Sequence, residues 1–146
     1  MAFSITTGLA EYITGTGSLL DALDAGEIKI YSGTVPASAE AALGSATLLC
    51  TILLNGTNPL SLDVDGRKII KPAAAVWNGV PVASGTATFF RHVMSGDTGT
   101  ASTSGIRTQG AVGTTNAAEM PLFNPTLTTG VTHTLHNYVV EIPLFK

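Results

Sequence analysis

At 146 residues, with a single cysteine and only 12% charged residues, the chain has the length of one domain and can bury a core without disulfides or a structural metal. A formal net charge of -3 and a pI near 5.4 give no basic patch for a phosphate backbone, which disfavours nucleic-acid binding. Mean hydropathy is +0.35, yet no run approaches the roughly 20 apolar residues of a membrane-spanning helix, so the expectation is no membrane contact and a neutral surface covered by other protein.

Residues 1–26 read as a helical segment belonging to the same domain as the rest. Leu9, Tyr12 and Ile13 recur at helical spacing, Gly15-Thr16-Gly17 interrupts them, and Ser18 with Asp21 resembles a capping box ahead of Leu19, Leu20 and Leu23. Gly26 is expected to end the second helix in a left-handed conformation. The first residues carry neither basic side chains nor an apolar core of signal-peptide length, so export by that route is not expected.

From Glu27 the period changes to alternation. Ile28 and Ile30 take one side and Glu27, Lys29 and Tyr31 the other, with Ser32-Gly33 closing the strand. The Ala-rich stretch Pro36 to Leu43 fits either a helical turn or an ordered loop. Ala46 to Leu54 returns to strand before the Asn55-Gly56 turn, and Cys50 within it is expected to act as a small buried hydrophobe. Further strands are expected at Leu60 to Val64, Lys68 to Lys71, Ala74 to Trp77, Thr86 to Met94, Ile106 to Ala111, Glu119 to Phe123 and Thr132 to Ile142. Asp65-Gly66, Asn78-Gly79, Ser84-Gly85, Gly113 and Gly130 punctuate them at short spacing. That pattern predicts a mainly β domain over residues 27–146, an antiparallel β-sandwich or jelly-roll-like body. Ser95 to Gly105, polar and rich in small residues, is expected to be an exposed loop awaiting a partner to order it.

Residues that could carry chemistry are few and scattered. His133 and His136 are three apart, which in a strand places them on opposite faces, so they chelate only across a turn or bulge. His92 would need a nucleophile and an orienting carboxylate beside it to serve as a base. Asp63-Val64-Asp65-Gly66 lacks the remaining oxygen ligands of a calcium loop, with Lys68 and Lys71 following instead, and reads as a turn. Asp21, Asp24 and Glu27 would share one acidic helix face open to a basic neighbour. The Gly96 to Gly99 stretch has no lysine or strand-to-helix context for cradling phosphate. Asn55-Gly56-Thr57 matches a glycosylation sequon but has no secretory route to serve it. Trp77 and the Phe89-Phe90 pair fall in strands, where one phenylalanine of the adjacent two points away from the core and could anchor an interface. No catalytic, cofactor-binding or metal-ligating residue is assigned, and no cofactor is expected.

Several runs together resemble small structural proteins of tailed bacteriophages and prophages. They are Gly15-Thr16-Gly17-Ser18-Leu19, Ile28-Lys29-Ile30-Tyr31-Ser32-Gly33-Thr34-Val35-Pro36, Gly85-Thr86-Ala87-Thr88-Phe89 and Gly99-Thr100-Ala101-Ser102-Thr103, followed by Gln109-Gly110 and Val112-Gly113. The resemblance runs in order from the N-terminal helix to about Gly113, with Ile28 to Pro36 its most distinctive part. It implies a noncatalytic virion protein made in the bacterial host cytoplasm, such as a capsid decoration or cement subunit that touches major capsid proteins and neighbouring copies of itself. Residues 4–25 and 95–105 would be the contacting elements. A tail, neck or head-to-tail connector component is the structural alternative. A receptor- or carbohydrate-binding β-sandwich is another, with Trp77 and Tyr138 as its aromatic platform. An enzyme built on His92 or His133 comes last.

Overall fold

The computed structural model describes residues 3–113, 120–121 and 124–141. In chain order its elements are β1 (Ser4–Ile5), α1 (Thr7–Gly15), α2 (Leu19–Leu23), β2 (Gly26–Ser32), β3 (Thr47–Leu54), β4 (Asp63–Asp65), β5 (Lys68–Ile70), β6 (Trp77–Gly79), β7 (Gly85–Thr86), β8 (Phe89–Met94), β9 (Arg107–Gly113), β10 (Met120–Pro121), β11 (Thr126–Leu127), β12 (His133–Leu135) and β13 (Val139–Glu141). The main sheet runs β1-β9-β8-β2-β3-β6-β12, and β10 also pairs with β9, in parallel; the other described pairings are antiparallel. Two small sheets, β11-β7 and β13-β5-β4, complete a mainly β, sandwich-like fold with a short helical segment at its N-terminus.

The alternation along β2 builds the core. Ile28 and Ile30 are fully buried; Ile28 faces Ile52 of β3 and His92 of β8, while Ile30 faces Cys50 and Phe90. Leu9 of α1 and Ala22 and Leu23 of α2 join this cluster together with Leu60, Ile69, Trp77, Leu135 and Val140. Helices of nine and five residues would not persist in water alone. Burying Leu9 and Leu23, each worth about 1.5–3 kcal/mol, holds them in place. The Ser18–Asp21 capping box forms as expected, with Ser18 Oγ accepting from Asp21 N and Asp21 Oδ2 from Ser18 N.

Several boundaries differ from expectation, each for a local reason. Residues 4–5 are not helical but pair with Gln109 and Thr108 as an edge strand. The left-handed residue after α2 is Ala25, at φ 62°, and Gly26 instead opens β2. Leu60 and Leu62 are buried, but Leu60 makes only a reciprocal pair of bonds with the Ala25-Gly26 corner, so a ladder begins at Asp63. The strand expected at Ala74 to Trp77 starts only at Trp77 and continues through Asn78-Gly79, because Gly79 lies flush on β3, where a Cβ would sit 2.1 Å from Thr51 O. The run Thr86 to Met94 breaks at Ala87-Thr88, whose amides turn aside to Pro125 O and Tyr31 O. Thr132 to Ile142 divides into β12 and β13 in two different sheets. Of the strand expected at Glu119 to Phe123 only Met120–Pro121 lies within the described residues, and Ile142 lies outside them. The Pro36 to Leu43 stretch is an ordered loop without a helix.

Candidate functional site

The face of the main sheet opposite the helices is polar and covered. Lys29 and Tyr31 of β2, Phe89 and Arg91 of β8, and Arg107 and Gln109 of β9 share it by register. The connection 33–46 between β2 and β3 crosses above them. A covered loop must find donors for its carbonyls, and here sheet side chains supply them. Arg91 Nη2 donates to Ser38 O (3.2 Å) and Ala41 O (2.7 Å), Arg107 Nη1 to Ala39 O (3.2 Å), and Gln109 Nε2 to Pro36 O (3.0 Å). Arg91 Nε also donates to Gln109 Oε1 at 2.8 Å.

The 95–105 loop is fastened to the same hub. Asp97 Oδ2 accepts from Arg107 Nε at 2.6 Å, Thr100 O accepts from Arg107 Nη2 at 2.8 Å, and Lys29 Nζ donates to Asp97 O at 3.1 Å. Backbone bonds join it to the other loop, Leu43 N to Gly99 O and Ser102 N to Glu40 O. The loop is thus exposed along most of its length, as expected, but ordered by its own chain rather than left for a partner to order. The N-terminal arm closes the assembly: Ser4 Oγ accepts from Ala39 N, and both the amide and the hydroxyl of Thr7 donate to Glu40 Oε1, which lowers the carboxyl pKa of Glu40.

Charge within this hub is unbalanced. Arg107 has a carboxylate partner, whereas Arg91 is bonded only to neutral oxygens and leaves Nη1 without a bond. Burial disfavours the Arg91 charge and repulsion from Arg107 adds to that, so its pKa falls. Tyr31 stacks on Phe89 at 4.9 Å and 11°, and burial pushes its phenol up to about 12.

The residues singled out from sequence end up dispersed. Phe89 and Phe90 do point to opposite faces, but neither is outward: Phe89 is stacked on Tyr31 on the covered face and Phe90 lies in the core, 0% and 1% exposed. Trp77 and Tyr138 are buried neighbours with rings 5.7 Å apart, so they offer no platform to a sugar. Cys50 is fully buried and its thiol is pushed up to about 11. His92 is enclosed, with Nε2 2.9 Å from Leu23 O and Nδ1 3.1 Å from the Tyr138 hydroxyl. His133 lines a polar hollow of about 220 Å³ with Asn124, Thr126 and Thr132, and burial lowers its pKa, with His136 adding to the effect. Asp21, Asp24 and Glu27 do not form one face: Asp21 caps α2, Asp24 Oδ1 accepts from Leu62 N, and Glu27 lies in β2 beside Lys29. Among the described residues no three His, Cys, Asp or Glu side chains gather to hold a metal ion, and no helix is long and apolar enough to cross a membrane.

What sequence reading missed is an aliphatic surface. Val80, Val82 and Val131 are 54%, 69% and 61% exposed, and a bond from Gly130 N to Pro81 O brings their two loops together at the β6–β12 end of the main sheet. The alternation Val80-Pro81-Val82 was a usable signal, since Pro81 is buried and its neighbours point outward. A second apolar feature, a groove of about 210 Å³, lies on the helical side between Phe3, Ile5, Ile13, Leu19 and Val140. Compared with protein-family models, curated proteins and solved structures, the chain matches none.

Proposed function

We propose that this chain is a noncatalytic structural subunit of a tailed-phage virion, a decoration or cement protein that bridges major capsid proteins and neighbouring copies. The observation that carries the reading is the exposed valine surface held on a braced frame. Val80, Val82 and Val131 present aliphatic area without long flexible side chains, so little rotamer entropy is lost when a neighbour covers them. The loops on the polar face are already ordered by the Arg91–Arg107 hub, which lowers the conformational cost of docking. Repeated over a shell, contacts of modest strength add through effective concentration. The virion context of this reading rests on the resemblance of Ile28 to Pro36 and its companion runs to phage structural proteins noted from sequence.

Cryo-electron microscopy of purified particles, with quantitative densitometry of the same preparation, tests the proposal. Hundreds of copies over the icosahedral shell is the expected result. A small ring at the neck or tail assigns the chain to the connector instead, and absence from particles removes the virion reading. A Val82→Asp variant should fold normally and lose particle occupancy.

A further inference from the structure

The apolar groove of about 210 Å³ lies at the β1 end of the main sheet, where α1, α2, β9 and β13 also converge. Phe3 and Ile5, each 36% exposed, form its open wall, and Ile13, Leu19 and Val140 face them. Thr108 of β9 lies at the bottom. Register sets it between Ile5 of β1 and His92 of β8, so its side chain stands on the helical face of the sheet. Thr108 is fully buried, and its Oγ1 has no hydrogen-bond partner among the described residues. A valine would have nearly the same shape and leave no polar atom to satisfy, so the unpaired hydroxyl is a cost to the fold.

Behind Thr108 runs a row of bonded polar groups. A carbonyl can only accept, so His92 Nε2 donates to Leu23 O at 2.9 Å, and the Tyr138 hydroxyl donates to His92 Nδ1 at 3.1 Å. Burial raises the pKa of the Tyr138 phenol and Thr108 beside it lowers it, which places Thr108 Oγ1 at the end of the row, on the groove.

We propose that the groove binds a small neutral alcohol of one-ring size, its hydroxyl paired with Thr108 Oγ1 and its hydrocarbon body against Ile5, Ile13, Leu19 and Val140. An apolar pocket with one polar group at its base fixes a ligand's orientation in this way. A dry cavity of about 150 Å³ is enough for benzene, so this groove has room for a ring and a substituent. The ligand is neutral because the lining offers no free charge: its carboxylate, Glu141, is held by Arg67 at 2.7 Å. Thr108 can turn its hydrogen to the Tyr138 oxygen and accept from the ligand, or turn it into the groove and donate. A hydroxyl answers both arrangements, whereas a carbonyl or an ether answers only the second. The valine surface stays free, since β1 and β12 are opposite ends of the main sheet.

The test is a methyl-resonance titration of the full chain at pH 7 with p-cresol and with toluene, which has the same ring without the hydroxyl. p-Cresol should shift Ile5, Ile13, Leu19, Thr108 and Val140 saturably, with a Kd on the order of 1 mM and about tenfold below that of toluene. Thr108→Val should keep the fold, keep toluene binding and remove the difference. Absence of saturation, shifts centred on Val80, Val82 and Val131, equal affinities, or a preference that survives Thr108→Val would overturn the proposal. Should that variant fail to fold, Ile5→Trp decides. Its larger side chain fills the groove from the exposed wall and should abolish binding of both compounds, so undiminished p-cresol binding refutes the site.

Discussion

Of the two buried arginines, Arg107 should matter more to stability than Arg91, although Arg91 is the less exposed, at 1% against 3%. Arg107→Met keeps much of the aliphatic stem and deletes three donated bonds, to Asp97, Ala39 and Thr100. It strands a carboxylate only 12% exposed, so the cost belongs to the class of broken buried pairs, about 3 to 4 kcal/mol. Arg91→Met also deletes three partners, Gln109, Ser38 and Ala41, but strands no charge and relieves the repulsion from Arg107. Its cost should therefore be about 1 to 2 kcal/mol.

For a chain of this size the two variants should melt about 10 °C and about 4 °C below the parent. Urea unfolding with linear extrapolation is the decisive assay, read at unchanged m-value so that the midpoint reports stability alone. Should Arg91→Met prove as costly as Arg107→Met, the assignment of the hub's energy to the Asp97 ion pair is wrong and the loop carbonyls carry it instead.

Ala25→Gly should stabilise the fold by about 0.5–1 kcal/mol by relieving a left-handed alanine, measured by the same urea titration. Gly79→Ala should prevent folding or cost more than about 3 kcal/mol, since the new Cβ meets the Thr51 carbonyl at 2.1 Å between paired strands; expression with circular dichroism reports it. The Cys50 thiol, pushed up to about 11 and buried, should react with a thiol reagent only on unfolding, so a fast native rate at pH 8 would contradict its placement.

How much of this was legible in the sequence depended on whether a residue's role was local. The Ile28/Ile30 alternation, the Ser18–Asp21 capping box and the Gly15–Gly17 interruption act within a few residues, and each appears where the pattern placed it. Asn78-Gly79 was misread because the same dipeptide serves a turn or a close approach between strands, and only the position of Thr51 O decides between them. Arg91 and Arg107 carry no local sign of burial. The loop carbonyls they reach lie 50 to 68 residues away, in directions set by tertiary structure. The 95–105 loop looked free because Lys29 and Glu40 are remote anchors, while the nearby Arg107 carries no local sign that it is buried beneath the loop.

The hub also changes how the surface charge should be read. The chain has seven lysines and arginines. Lys29, Arg67 and Arg107 are joined to Glu27, Glu141 and Asp97, pairs that cancel, whereas Arg91 is interior without an acidic partner, so the solvent-facing surface is acidic by one charge beyond the formal net charge of -3. Docking through that acidic exterior would weaken as salt rises, because exposed charges are screened beyond a Debye length of about 10 Å at 0.1 M. Docking through Val80, Val82 and Val131 would be nearly indifferent to sodium chloride and strengthened by sulfate. Retention on purified particles across a salt series should therefore follow the aliphatic pattern, while release by 0.5 M sodium chloride alone would place the contact on the acidic exterior and leave the valines as surface without a partner.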